Sequence, residues 1–231
     1  MSMKVRHNYV EFVGQHTAGK TSTYRYVVEE KLLSPYVAMH PRLPEFRRPR
    51  IHFALSIPFL VVKNINQIWF VTYFFLRYAK WRWTNYRDVW QYLIKMVILH
   101  PYYKRYEYDV WFKQDMLHLL PRVFFKEEVD IERVFTEYFD HFAHLYNGIV
   151  YVDLSSENMQ KRFAERHKGK SEKRQQNRRA IYEQAYKQNI LMKEVLLAQN
   201  SVPVLVIDGN GSVEENAHKV AEFVRAKVLS R

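Results

Sequence analysis

Cysteine is absent from this 231-residue chain, which removes disulfides, thiolate metal sites and cysteine nucleophiles together and suits a reducing compartment. No internal repeat and no low-complexity linker divides it. One α/β domain over residues 1–231 is therefore expected, and a hydrophobic content of 48% is ample for a buried core at this length. The polar stretch Met1–Asn8 leads straight into a strand-like run, so no secretory signal is expected there. A membrane-spanning run is also missing. Residues Ile51 to Leu76 come nearest, but Pro58, Lys63, Asn64, Asn66 and Gln67 cut them into pieces of about a dozen residues.

Glycine is scarce, six residues in all, yet two of the six bracket a single loop. After the apolar run Tyr9-Val10-Glu11-Phe12-Val13 comes Gly14-Gln15-His16-Thr17-Ala18-Gly19-Lys20-Thr21, followed by Ser22. This is the pattern G-x-x-x-x-G-K-[ST]. In such a loop successive backbone N–H groups surround a polyphosphate, the lysine reaches the β and γ phosphates, and the threonine hydroxyl ligates magnesium. Gly14 and Gly19 permit positive φ and close approach to an anion. The helix expected from Lys20, with Tyr24, Val27, Val28 and Leu32 on one side as far as Leu33, directs its positive end at the same phosphates.

The formal charge of +12 is unevenly placed. Arg42 to Tyr106 carries twelve Lys/Arg against Glu45 and Asp88, and Lys161 to Arg179 carries nine against Glu165 and Glu172. The rest of the chain is mildly acidic, so each basic segment needs its own explanation.

Three further short apolar runs read as strands closed by polar turns: Tyr108–Phe112, Gly148–Leu154 and Val202–Ile207. Helical spacing appears between and after them, over Glu132–Tyr146, Asn177–Gln199 and Val213–Leu229. Strands alternating with helices imply a parallel sheet with helices on both faces and ligands at the carboxyl ends of the strands. The loop at Gly14, Asp115, the Ser155 turn and the Asp208 loop all fall at such ends. Asp208-Gly209-Asn210-Gly211 also spells D-x-x-G, a GTPase pattern. It comes last in the chain, and no Asn-Lys-x-Asp guanine signature occurs, which opposes a GTPase.

Three segments, YVEFVGQHTAGKTST, LSSENMQKRFAERHKGK and VPVLVIDGNGSVEENAHKVAEFV, look like the matching segments of the thymidylate kinase-like P-loop kinases, the group that includes nucleoside and nucleoside-monophosphate kinases. The resemblance covers roughly half the chain. It implies a three-layer P-loop NTPase fold with a parallel central sheet and helices on both faces. The middle, Pro35 to Tyr106, lies outside the resemblance, and residues 42–106 are expected as a helical, aromatic-rich insert on the acceptor side, where such families keep acceptor specificity. The resemblance further implies ATP as donor, Mg2+ as its partner, and a small-molecule acceptor such as a nucleotide, nucleoside or saccharide. Residues 155–179 correspond to a lid whose arginines approach the phosphates, with Arg162 and Arg166 first and Lys170 and Arg174 in reserve. Asp208 and Gly209 correspond to the segment flanking the nucleotide base.

Asp115 is the candidate carboxylate, as magnesium ligand, as general base aligning the acceptor, or simply as a helix cap. Asp109 is its rival, with an ion-pair role as the alternative. Related kinases carry an arginine beside that acid, whereas this chain reads Gln114-Asp115-Met116. Residues 49–106 hold four of the five tryptophans. They suit a packed helical subdomain, an anionic membrane surface, or a pocket for a large anionic or lipid-linked acceptor, with nucleic acid ranked last. A cytoplasmic protein, peripheral on a membrane in the second case, is the corresponding expectation. A homodimer and a non-catalytic nucleotide-binding module both remain open.

Overall fold

A computed structural model describes residues 8–15, 17–39, 58–59, 61–82, 108–113, 116–168 and 172–230, with the side chains of 167, 172–178 and 180 outside that description. Among these residues, five parallel strands form one sheet: β1 (Asn8–Gly14), β2 (Ala38–Met39), β3 (Val110–Lys113), β4 (Gly148–Asp153) and β5 (Val204–Asp208), in the order β2-β3-β1-β4-β5. The helices are α1 (Lys20–Glu29), α2 (Ile65–Tyr78), α3 (Met116–Leu119), α4 (Ile131–Phe142), α5 (Ser156–His167), α6 (Glu172–Ala198) and α7 (Val213–Phe223).

The strands are apolar on both faces because both faces are covered. Tyr9 and Val13 of β1, with Trp111, Ile149 and Tyr151, pack against α2, α4 and α6. The alternate residues Val10 and Phe12, with Phe112, Val150 and Val152, pack against α1 and α7. That period of two makes three layers from one sheet. Aromatic rings dominate the first interface, where Phe74 of α2 meets Tyr138 of α4 edge to face at 5.0 Å between centroids. Each fully buried ring of this kind contributes about 1.5–3 kcal/mol from area alone.

Local signals set the helix starts. Asp130, Ser155 and Ser212 each accept a backbone N–H three residues on, at 3.3, 3.4 and 3.0 Å, before α4, α5 and α7. The helix α1 begins instead at Gly19, in the left-handed region with φ 89° and no side-chain cap. It ends at Glu29, short of the expected Leu33, and Lys31 lies at φ 50° beyond it. The chain breaks at Asn64, as the sequence suggested, before α2. The face of α2 that carries Val71, Phe74, Phe75 and Tyr78 is core, while Ile65, Trp69, Tyr73 and Leu76 are exposed. No helix among the described residues is long and apolar enough to cross a membrane. Most of the insert expected at 42–106, including Trp83 and Trp90, lies outside the described residues.

Register decides what meets at the carboxyl edge. Gly14 pairs with Val152 and Asp153 with Asp208. The loop after β1, the end of β4 and the end of β5 therefore share one edge.

Candidate functional site

The loop from Gly14 to Gly19 is held open by backbone conformation. Gly14 has φ 114° and Thr17 φ 65°. A Cβ on Gly14 would lie 3.0 Å from the Val152 carbonyl carbon and closer still to its oxygen, so only glycine lets β1 and β4 run this close. At Gly19 the reason differs: nothing lies within 4 Å of the corresponding position, and the side of the loop there is open. Lys20, 4% exposed, turns its Nζ back into the loop, donating to the Gly14 carbonyl at 2.9 Å and to that of Gln15. Burial pushes this ammonium well below the ordinary lysine value, and the nearby Arg122 guanidinium adds to the effect. A buried cation with no carboxylate partner among these causes, at the uncapped N-terminus of a ten-residue helix, is a site in which an anion would relieve an electrostatic cost.

Other elements close round the loop. Arg162 of α5 donates through Nη1 to the Thr17 carbonyl at 3.2 Å. Gly209 sits where a Cβ would be 2.6 Å from the Asp153 carbonyl and 3.1 Å from that of Ala18, which brings the loop after β5 against the loop after β1. Asp208 organises its own turn, its Oδ1 accepting from the backbone and side chain of Asn210 at 2.8 and 2.6 Å. Asn158 of α5 then donates to Asn210 at 2.6 Å. The first turn of α5 and the Asp208 loop thus form one wall.

No family model matches the chain, and the search of curated proteins gave no match. Among solved structures, deoxyadenosine kinase from M. mycoides with bound dATP superposes over 95% of this chain and 100% of its own, with a TM-score of 0.52 at 13% identity. A second structure of that kinase, with the products dCMP and a flexible dCDP, covers 94% and 99% with a TM-score of 0.47 at 13% identity. The chain thus shares with the first of these structures a three-layer α/β fold with a parallel central sheet. At this identity the likeness concerns the fold, and residue roles rest on the geometry.

Within this fold, Gly14, Gln15, Thr17, Ala18, Gly19, Lys20, Thr21 and Ser22 stand in or directly after the loop, Arg162 and Gly209 adjoin it, and Asp208 precedes Gly209. Arg166 is exposed one helical turn beyond Arg162. His16, Gln114, Asp115 and Lys170 lie outside the described residues, as does the side chain of Arg174. Asp109 is a backbone anchor rather than an ion pair. It precedes β3, at the end of the strand remote from the loop, and its Oδ2 accepts from the Val37 N–H at 2.8 Å.

The loop fits a magnesium-bound polyphosphate. Lys20 and the N-terminal end of α1 suit the phosphates, and the partly exposed Thr21 hydroxyl lies in the first helical turn, 3.3 Å from the Tyr24 hydroxyl. No group of three or more acidic or histidine side chains that could cage a metal occurs among the described residues. Magnesium needs none, since it retains waters and uses one or two protein ligands beside the phosphates.

Several participants had no signature in the sequence. The buried Glu11 of β1 accepts the His118 N–H at 3.0 Å, which ties the segment after β3 to the loop-bearing strand. Arg122 donates to His118 Nε2 at 3.1 Å and acts electrostatically on Lys20. Tyr151 and Asp153 receive the Gln15 side chain, and Lys193 pairs with Asp153. Only Asp153 carried a usable hint, as an acid ending the strand beside β1.

Proposed function

We propose that the protein is a magnesium- and ATP-dependent kinase that transfers the terminal phosphoryl group to a small-molecule acceptor, with nucleosides the first acceptor class to test. The observation that supports this reading is Lys20, buried at the start of α1, where no side chain caps the helix, and turned into a loop whose Gly14 and Gly19 both have positive φ. Thr21, with Asp115 the proposed second contributor, would hold magnesium, which would supply charge neutralisation at the donor phosphates. Lys20 neutralises charge on the donor phosphates, Arg162 and Arg166 approach from the 155–179 lid, and the loop amides hold the donor in line. Arg122 is a further cation on the Lys20 side, a candidate to take the part of the arginine that this chain lacks beside Asp115. Asp208 and Gly209 border the base, and residues 42–106 form the acceptor side.

Arg162 is expected to matter for transfer more than for folding. Arg162→Ala should lower kcat about a hundredfold, measured against the wild type at saturating ATP, and shift the melting temperature by no more than a few degrees. Arg166→Ala should have the smaller effect, because its side chain is exposed one turn beyond Arg162.

A second reading, a peripheral kinase acting on a lipid-linked acceptor, is favoured by the exposed Ile65, Trp69, Tyr73 and Leu76 on α2, flanked by Lys63 and Arg77. One experiment separates the two. ATP labelled in the terminal phosphoryl group is incubated with nucleosides, nucleoside monophosphates, free sugars, and a lipid-linked sugar in anionic vesicles. Label on a soluble nucleoside supports the first reading, and label only on the vesicle-borne acceptor replaces it with the second. No transfer to any of them would contradict the kinase reading.

A further inference from the structure

Gln15, the residue after the first loop glycine, has its side chain fixed by β4. Its Nε2 donates to the Tyr151 hydroxyl at 3.1 Å and lies 3.4 Å from Asp153 Oδ1, while its Oε1 accepts the Leu154 N–H at 3.2 Å. The other oxygen of Asp153 accepts from Lys193 Nζ at 2.6 Å. Lys193 belongs to α6, which starts within the proposed lid and runs back past the sheet edge. A second strut runs parallel to this one, since the Tyr151 hydroxyl donates to the Asn189 carbonyl at 2.8 Å. The Gln15 carbonyl is in turn one of the two that hold Lys20. The order of contacts is therefore Lys193, Asp153, Gln15, Lys20.

Asp153 presents a chemical problem for the donor site. It is a carboxylate against the loop, and its main-chain carbonyl accepts from Gly209, which borders the same loop. Left uncompensated there, it would repel the phosphates that Lys20 attracts. The Lys193 ammonium, about a third exposed like its partner, lies on the side of Asp153 that Gln15 does not occupy. Both oxygens are thereby engaged, one by the cation and one by the loop amide.

The geometry points to Lys193 as a positioning residue for the nucleotide, cancelling the charge of Asp153 beside the phosphate loop and tying α6 to Gln15. It touches no substrate. Its effect reaches the donor through Asp153, and the inference rests on the nucleotide-binding reading above.

The sign of the charge effect makes the test decisive. Titrating the full-length chain with Mg-ATP, Lys193→Met should weaken binding about tenfold at low salt, because an uncompensated carboxylate then faces the polyphosphate through a partly solvated path. Raising the salt should shrink that defect. Asp153→Asn should stay within about threefold of the wild type, and the double variant Lys193→Met/Asp153→Asn should return to that range. Lys193→Arg, which keeps the charge, should rescue. Wild-type affinity in Lys193→Met would overturn the inference. So would an Asp153→Asn defect as large as that of Lys193→Met with no recovery in the double variant, which would mark a strut or a magnesium contact instead of charge cancellation. If the wild type itself binds no Mg-ATP, the donor-site reading falls and takes this inference with it.

Discussion

Replacing Lys20 with methionine should abolish Mg-ATP binding at any practical concentration and reduce phosphoryl transfer by at least about 10²–10³-fold, while the free protein remains at least as stable as the wild type. Both halves follow from one cause. The Lys20 ammonium is buried, and that burial, helped by Arg122, holds its pKa well below the ordinary lysine value. A folded-state pKa below the unfolded value means that protonation disfavours the folded state. The cost is fully present at pH below the folded-state pKa and fades as pH rises through the interval towards the unfolded value. Near neutrality the wild type carries it and Lys20→Met does not, although methionine also gives up the hydrogen bonds to Gly14 and Gln15. Thermal melting with and without Mg-ATP checks both parts. The wild type should gain stability with nucleotide and the variant should not. A variant that still gains stability would remove Lys20 from the phosphate site.

The two loop glycines should separate folding from binding. In Gly14→Ala the new methyl meets the Val152 carbonyl in a backbone conformation that L residues avoid, φ 114°. Overpacking costs about 1–3 kcal/mol and the left-handed backbone about 1–2 kcal/mol. Together these should lower the melting temperature by roughly 5–20 °C for a chain of this size. Gly19→Ala meets nothing within 4 Å and bears only the backbone term, at φ 89°. Its stability should fall by about 1–2 kcal/mol, yet its nucleotide affinity should fall much further, because the methyl enters the space where phosphate would approach the start of α1. Equal losses of stability in the two variants, measured by denaturant unfolding, would mean that β4 does not crowd Gly14 as described.

The placement of the loop between β1 and α1 was legible because its signals are local. Gly14, Gly19, Lys20 and Thr21 lie within eight residues, and a strand signal before and a helix signal after them suffice to place them. The parallel sheet was legible for a similar reason: strands buried on both faces are short apolar runs, and β4 and β5 lie within two residues of their expected bounds. The edge strand β2 was not, since two residues carry no periodicity and Ala38 and Met39 are a strand only by pairing with Val110 and Trp111. The helix α6 starts at Glu172, ahead of the expected Asn177, because its polar first turns have no apolar stripe to announce them. The network around Gln15 was invisible for a different reason. Gln15 and Tyr151 are 136 positions apart, Asp153 and Lys193 are 40 apart, and polar pairs at such separations leave no trace in a single sequence. The aromatic segment 42–106, proposed as the acceptor side, has no short motif to reveal an acceptor.

The central claim is that Gly14 to Thr21 binds the polyphosphate of a magnesium-bound nucleotide. Calorimetric titration of the wild-type chain with Mg-ATP tests it most directly, with Lys20→Met as the paired sample. Saturable binding of one nucleotide per chain, lost in Lys20→Met and weakened when magnesium is chelated, is the predicted result. Absence of binding to the folded wild type, or equal binding by both proteins, would contradict it.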